Sequence, residues 1–254
     1  MRYLIKFSYD GSAYKGYQIQ PGYRTIQQEL ENALQKVNNN IHRTIQSTGR
    51  TDKGVHAKEQ YAHFDIDISI TTYKLKRALN SNLPEDIHII EAYEVDDKFH
   101  SRYYTKEKEY KYYINLGEYN PLERNYVFQY NYKLNIEKMK IAIKYFEGTH
   151  DFRAFVTENK DKENCVRNIN KASINQDKID KNKFIFTFIG NGFLRYQVRN
   201  MVGILIKVGE EKIPPEAVKE ILESKDRSKK GVTAPAVGLY LERVEFKEFK
   251  KNYS

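Results

Sequence analysis

The chain has 254 residues, of which 40% are hydrophobic, enough to form one large domain or two moderate ones with buried cores. Its 43 Lys and Arg against 34 Asp and Glu give a net charge of +9, which favours a polyanionic partner such as nucleic acid. One cysteine, Cys165, excludes an internal disulfide and a cysteine-rich zinc site and fits a reducing cytoplasm, and no apolar run approaches the ~20 residues needed to cross a bilayer.

Hydrophobic spacing in the first hundred residues predicts six elements. Residues 2–9 alternate like a half-buried strand, and a capping box, Thr25 with Gln28, opens a helix whose apolar stripe ends at Val37. The remaining predicted elements are strands at 41–46 and 60–67, a helix capped by Thr72, and a strand at 87–95. The order strand, helix, strand, strand, helix, strand is that of a ferredoxin-like fold.

The second half repeats this order. We predict a strand at 106–115, a helix at 136–146 ended by Gly148, a polar loop at 158–164, strands at 166–175 and 183–189, a helix from about Leu194 to Val208, a short inserted helix after Pro215, and a last strand at 239–246. The fold class is therefore α+β, with two similar ferredoxin-like (βαββαβ) halves, residues 1–104 and 105–254, and a largely antiparallel sheet. The alternative is one continuous sheet that only looks duplicated.

The loop at residues 47–57, between two predicted strands, has the residue types that chemistry needs. A loop fixed at both ends presents reactive groups on a rigid scaffold, and its two glycines allow a ligand to approach closely. Asp52, the only carboxylate in the loop, lies between Arg50 and Lys53, whose positive charges favour its ionised form. The same residues also suit an ordinary solvated turn, which on spacing alone is the more common case.

Three other features are candidates for binding RNA. Arg195 and Arg199 lie four residues apart on one flank of a predicted helix, where an arginine can grip a carboxylate or phosphate, although a solvated surface arginine is the common alternative. Tyr110 lies on a predicted strand and can stack on a base, but periodicity does not distinguish it among 21 tyrosines. The basic run 225–230 can contact phosphates. No segment matches the RNA-recognition-motif signature.

Residues 49–57 resemble the active-site signature of the tRNA pseudouridine synthase A family. The resemblance continues along the chain in the segments 9–18 and 24–31, at Asn80 with 83–87, and in the segments 99–103, 110–112, 150–152, 192–194, 198–203 and 233–241. Two positions depart from the family's pattern: Tyr17 stands where many members have Trp, and Gln197 where Met is usual. Neither lies in the segment 49–57.

The resemblance implies a pseudouridine synthase fold and an isomerase that converts uridine to pseudouridine at positions 38, 39 and 40 of the anticodon stem-loop of tRNA. It implies that Asp52 is the nucleophile, that Arg50 and Arg199 are its ionic partners, and that Tyr110 contacts the flipped base. It also implies a cytoplasmic homodimer that uses no metal and no small-molecule cofactor. The scattered histidines, none in a metal-type pair, agree with the last expectation.

Two alternatives remain open from the sequence. One is a catalytically silent RNA-binding or RNA-folding protein of the same fold, against which the intact run Arg50-Thr51-Asp52 argues. The other is a different carboxylate-dependent glycosyl enzyme, which needs a second acid across from Asp52. The loop 47–57 contains no such acid.

Overall fold

The computed structural model describes residues 1–156 and 164–249, so the predicted loop at 158–164 lies, apart from Asn164, outside the described residues. Within those ranges the strands and α-helices are, in chain order, β1 (Arg2–Tyr9), α1 (Ile26–Val37), β2 (Gln46–Ser47), β3 (His56–Asp65), α2 (Thr72–Asn82), β4 (Ile87–Val95), α3 (Ser101–Tyr104), β5 (Thr105–Asn115), β6 (Phe128–Gln129), α4 (Ile136–Ile143), β7 (Gly148–Asp151), β8 (Val166–Gln176), β9 (Lys183–Gly190), α5 (Gln197–Gly209), α6 (Ala217–Ser224) and β10 (Leu239–Phe246).

The chain forms two compact units. The first contains residues 1–106 and the described residues from 241 onward, and the second contains residues 107–240. The predicted α+β class with largely antiparallel strands is confirmed. The division into halves at 1–104 and 105–254 stays a prediction.

In the first unit the strand order is β4-β1-β3-β10, and β2 pairs with β3. β1 runs antiparallel to both neighbours, with Ile5 opposite Ala62 of β3 and Ala92 of β4. Because β1 is a central strand, both of its faces are covered: Leu4 is as fully buried as Tyr3. The predicted half-buried alternation therefore underestimates how deeply this strand lies in the core.

Three predictions in the first unit are wrong in detail. Residues 41–45 are not a strand, because the amide of Ile45 donates to Oε1 of Glu31 instead of to a neighbouring strand. The Thr25 side chain makes no capping hydrogen bond, although α1 begins directly after it. The second helix is capped by Thr71, whose hydroxyl accepts from the amide of Lys74, one residue earlier than predicted.

In the second unit the strand order is β5-β9-β8-β7, all antiparallel, and β6 pairs parallel to β5. α4 packs against α5 and β8. Gly148 does not cap the preceding helix: α4 ends at Ile143, a 3₁₀ turn continues to Phe146, and Gly148, at φ +101°, begins β7. Among the residues that the structure describes, no helix is long and apolar enough to cross a membrane.

Candidate active site

Asp52 lies in a tight turn between β2 and β3. The amide of Val55 donates to the carbonyl of Asp52 at 3.2 Å and closes the turn, and Gly54 within it has a φ of +76°. Thr51 and Val55 are buried, Asp52 is half-buried and Arg50 is exposed. The turn is therefore fixed at its base while its charged residues reach the surface.

A second loop, residues 10–23, packs directly on this turn. Gly16 lies so close that an added Cβ would be 3.0 Å from the Thr51 carbonyl oxygen, and the amide of Tyr17 donates to that oxygen at 3.1 Å. At Gly11, a Cβ would overlap the carbonyl oxygen of Val55. Backbone therefore packs against backbone at both glycines, and the position of Asp52 depends on a loop about forty residues earlier in the chain.

Two buried side chains make hydrogen bonds that hold the Asp52 turn and the adjoining backbone together. Nδ1 of His56 lies 3.1 Å from the Gly11 amide, from which it accepts, and the Tyr9 hydroxyl lies 2.8 Å from Oγ1 of Thr51. Burial raises the pKa of Tyr9, so its hydroxyl stays protonated and available to this bond. Sequence alone did not predict this role for His56 or Tyr9, because neither residue type is distinctive in a chain with 6 histidines and 21 tyrosines.

Tyr110 lies on β5 in the second unit, opposite Phe188 of β9. Its ring is 8% exposed and stands edge-on to Phe193, with 5.1 Å between the centroids. Tyr112 is buried on the same side of the strand, as the alternation predicts, and its hydroxyl donates to the Pro235 carbonyl at 2.8 Å. Tyr110 is thus a buried ring in edge-on contact with Phe193.

Arg199 is half-buried on α5 and is held from two directions. Its Nε donates to the carbonyl of Ala234 at 2.8 Å, and the Ala234 amide donates back to the Arg199 carbonyl at 3.1 Å. The guanidinium carbon lies 5.1 Å from the ring centroid of Tyr196. A hydrogen bond in the plane of the guanidinium and an aromatic ring across its face together restrict its orientation.

Arg195 is not on the helix, contrary to the sequence prediction. α5 begins at Gln197, and the preceding residue, Tyr196, has a left-handed φ of +62°. The guanidinium of Arg195 also lies 5.1 Å from the Tyr196 ring centroid. The two arginines therefore share one aromatic ring rather than one helix flank. A tyrosine rarely adopts positive φ, so the sequence carried no signal for this helix start.

A family model described as tRNA pseudouridine synthase matches residues 6–104 and 142–247. The chain belongs to the tRNA pseudouridine synthase family. A protein named tRNA pseudouridine synthase A from Limosilactobacillus reuteri (strain DSM 20016) is 44% identical to this chain over 248 residues, which cover 96% of each of the two chains. One from Streptococcus agalactiae serotype Ia is 44% identical over 248 residues, covering 97% of this chain and 96% of the relative. One from Streptococcus pneumoniae (strain 70585) is 43% identical over 249 residues, covering 97% and 99%.

The resemblance seen in the sequence is therefore confirmed, as are the isomerase class and the pseudouridine synthase fold. Among solved structures, a chain in a Cbf5-Nop10-Gar1 complex matches with a TM-score of 0.33 and 10% identity, covering 94% of this chain and 57% of that chain. At that level the similarity says nothing further about this family member.

In this tRNA pseudouridine synthase, the predicted site residues are divided between the two units. Arg50 and Asp52 share one turn of the first unit, and Tyr110 and Arg199 lie in the second. The roles predicted for these four residues remain predictions.

The basic run at 225–230 follows α6: Lys225 is the C-cap of that helix, and residues 227–230 form a 3₁₀ turn. Lys225 has a left-handed φ of +53° and its Nζ lies 3.9 Å from Oδ2 of Asp151, while Asp226 caps the turn by accepting from the Ser228 amide at 2.9 Å. Part of this run therefore has a structural role. Contact with phosphate stays a prediction for it.

Proposed function

We propose that this chain converts uridine to pseudouridine at positions 38, 39 and 40 in the anticodon stem-loop of tRNA, with Asp52 as the nucleophile. The observation that supports this most directly is the packing of Gly11 and Gly16 against the turn that bears Asp52. That packing fixes the backbone of a half-buried carboxylate beside the cations Arg50 and Lys53. Preorganised placement of one charged group is what a nucleophilic mechanism requires.

The reaction is an isomerisation and needs no co-reactant. The bond between N1 of uracil and C1′ of the ribose breaks, the base turns, and C5 bonds to C1′, while C5 loses a proton and N1 gains one. An ionised carboxylate can begin this sequence by attacking the base or the sugar or by removing a proton. In each case Asp52 must be deprotonated, and positive charge from its proposed ionic partners, Arg50 and Arg199, favours that state.

The uridine must leave the base stack to reach a carboxylate, which costs a few kcal/mol. We assign the contact with the flipped base to Tyr110, whose ring is restrained by Phe193. A restrained ring loses little conformational entropy when a base packs against it, and base–aromatic contact contributes roughly 1–3 kcal/mol. The net charge of +9 supports binding of the tRNA backbone. We further propose that the enzyme works as a cytoplasmic homodimer.

The decisive experiment compares wild type, Asp52→Asn and the exposed control Asp97→Asn on tRNA carrying tritium at C5 of uridine. We expect Asp52→Asn to bind tRNA with near-normal affinity and release no tritium, because an amide is not nucleophilic. The control keeps wild-type turnover. Full tritium release by Asp52→Asn refutes the nucleophile assignment. Tight tRNA binding with no pseudouridine formed by wild type itself identifies a silent RNA-binding protein instead.

The positions of the modified uridines are tested separately. Pseudouridine is mapped in tRNA from cells with and without this chain. We expect signals at positions 38, 39 and 40 to disappear when the chain is removed. Loss of pseudouridine elsewhere, with these three positions unchanged, contradicts the proposed substrate.

A further inference from the structure

Two lysines meet beside the turn that carries Asp52. Lys15 directly precedes Gly16, and a Cβ on Gly16 would lie 3.3 Å from the backbone nitrogen of Lys53. The Lys15 amide donates to the Arg24 carbonyl at 3.0 Å, which fixes the backbone of this lysine. Both lysine side chains are exposed. The packing of the two loops therefore places two exposed lysines next to each other beside the turn that carries Asp52.

The two ammonium groups interact unfavourably as the structure stands. Contact with Lys15, and its positive charge, lower the pKa of Lys53 below its ordinary value. Tyr23 is 55% exposed, and its ring lies 5.0 Å from Nζ of Lys15. That contact holds Lys15 in place but leaves the repulsion between the lysines in place as well.

Several other surface cations of the first unit form ion pairs with carboxylates. Such pairs are Arg24 with Asp86, Arg43 with Asp67, Lys6 with Glu59, and Lys58 with Glu242. Lys15 and Lys53 instead repel each other beside the turn that carries the candidate nucleophile, which makes this a favourable place for an RNA anion to bind. An anion that bridges both ammonium groups removes the repulsion.

We propose that Lys15 and Lys53 together bind one phosphodiester group of the RNA strand that carries the uridine processed at Asp52. The inference rests on the proposed function, because that function brings an RNA backbone to this turn. A phosphodiester has two non-bridging oxygens, one for each ammonium. Such a contact carries no sequence information but sets the register of the strand relative to the carboxylate.

A double-mutant cycle on the full-length chain tests the proposal. Affinity for unmodified tRNA is measured over a range of salt concentrations for Lys15→Gln, Lys53→Gln and the double variant. The control Lys36→Gln removes the same charge from an exposed position in the last turn of α1. We expect each single variant to raise Kd about tenfold and to reduce the salt slope by roughly 0.7–0.9, the value for one phosphate contact.

The double variant should bind only slightly more weakly than either single variant, because both lysines serve the same phosphate. Strictly additive losses, or variants that match Lys36→Gln in both Kd and slope, overturn the proposal. Thermal melts of each variant show that the fold is retained. If wild type releases tritium but the binding results do not fit, only the lysine site is refuted. If wild type releases no tritium, the proposed function is refuted, whatever the binding measurements show.

Chemical acylation provides a second readout. An amine with a lowered pKa is more often deprotonated at neutral pH, so Lys53 should be acylated faster than Lys36. We expect tRNA to protect Lys53, and inorganic phosphate at the same concentration of phosphate groups to protect it far less. Equal protection by inorganic phosphate assigns the site to the free ion and overturns the assignment to RNA.

Discussion

The guanidinium of Arg199 lies over the ring of Tyr196, 5.1 Å from its centroid, and Tyr196 holds that ring in place with a left-handed backbone. A φ of +62° is unfavourable for a bulky residue, by about 1–2 kcal/mol. Such strain persists only where the surroundings impose it, and it is common at functional sites. The strained residue here is the one whose ring restrains a predicted active-site arginine.

Substitutions at Tyr196 separate the effect of its ring on Arg199 from the effect of its backbone strain on stability. Tyr196→Asn suits a left-handed backbone but removes the ring, so we expect the free energy of unfolding to change by less than about 1 kcal/mol while turnover falls about fivefold. Tyr196→Phe keeps the ring and should keep wild-type turnover. Urea denaturation and tritium release measure the two effects. Equal turnover by the Asn and Phe variants contradicts a positioning role.

The close approach at Gly11 sets the stability of the loop that carries Asp52. In Gly11→Ala the new methyl group meets the Val55 carbonyl, and we expect a loss of about 3 kcal/mol together with loss of activity. The matched control is Gly22→Ala. Gly22 has a φ of +76° but open space around its Cα, so only backbone strain of about 1 kcal/mol is expected there. Similar losses in the two variants would show that the overlap is relieved by loop movement.

Removing the hydroxyl of two buried tyrosines should change the free energy of unfolding in opposite directions. The Tyr17 hydroxyl has no hydrogen-bond partner among the described residues, so Tyr17→Phe should raise the free energy of unfolding by about 1 kcal/mol. Tyr9→Phe leaves Oγ1 of Thr51 without its partner at 2.8 Å and should lower it by a similar amount. Urea denaturation of both variants against wild type measures the signs. A loss of stability in Tyr17→Phe points to an ordered water on that hydroxyl.

Acid should destabilise the first unit through His63. Burial, helped by the positive charges of His100 and Arg2, lowers the pKa of His63 from 6.5 to about 4. Its Nδ1 faces the Ser101 amide at 3.2 Å, from which it accepts as a neutral ring. The unfolded chain therefore binds a proton that the folded chain does not. The contribution of neutral His63 to the free energy of unfolding is therefore present above pH 6.5 and is lost as the pH falls from 6.5 towards 4.

The test is the difference in unfolding free energy between wild type and His63→Asn as a function of pH. Asn keeps an acceptor but does not titrate in this range, so its stability should fall less steeply between pH 6.5 and 4. The exposed His88, changed to Asn, serves as the control for loss of a titrating ring. Parallel curves for wild type and His63→Asn contradict the assignment.

Sequence periodicity predicted the elements that tertiary packing reinforces. Strands such as β4 and β10 and the helix α6 follow the alternation or stripe that a buried face requires. The prediction was wrong where one side chain or one backbone angle decides the outcome. Residues 41–45 alternate like a strand, but a carboxylate, Glu31, takes the amide of Ile45.

The sequence predicted only part of the candidate site. The run 49–57 identified Asp52 and Arg50 through a local pattern and a family resemblance. Lys15 and His56 contribute through contacts between two loops that lie far apart in sequence. Composition cannot reveal such contacts, because they depend on the close approach of Gly11 and Gly16. The glycines of residues 10–23 were the available signal.

The return of residues 241–246 to the first unit has a consequence for protein synthesis. There, Glu242 pairs with Lys58 at 3.1 Å, the amide of Val244 reaches Glu59 at 3.3 Å, and Phe246 packs edge-on against Tyr61. The ribosome makes β3 before β10, so the 173 residues between them must emerge before β3 acquires this neighbour. A nascent chain arrested before that point holds the Asp52 turn on a sheet that lacks β10, so the support for the candidate nucleophile is completed only after residues 241–246 have been made.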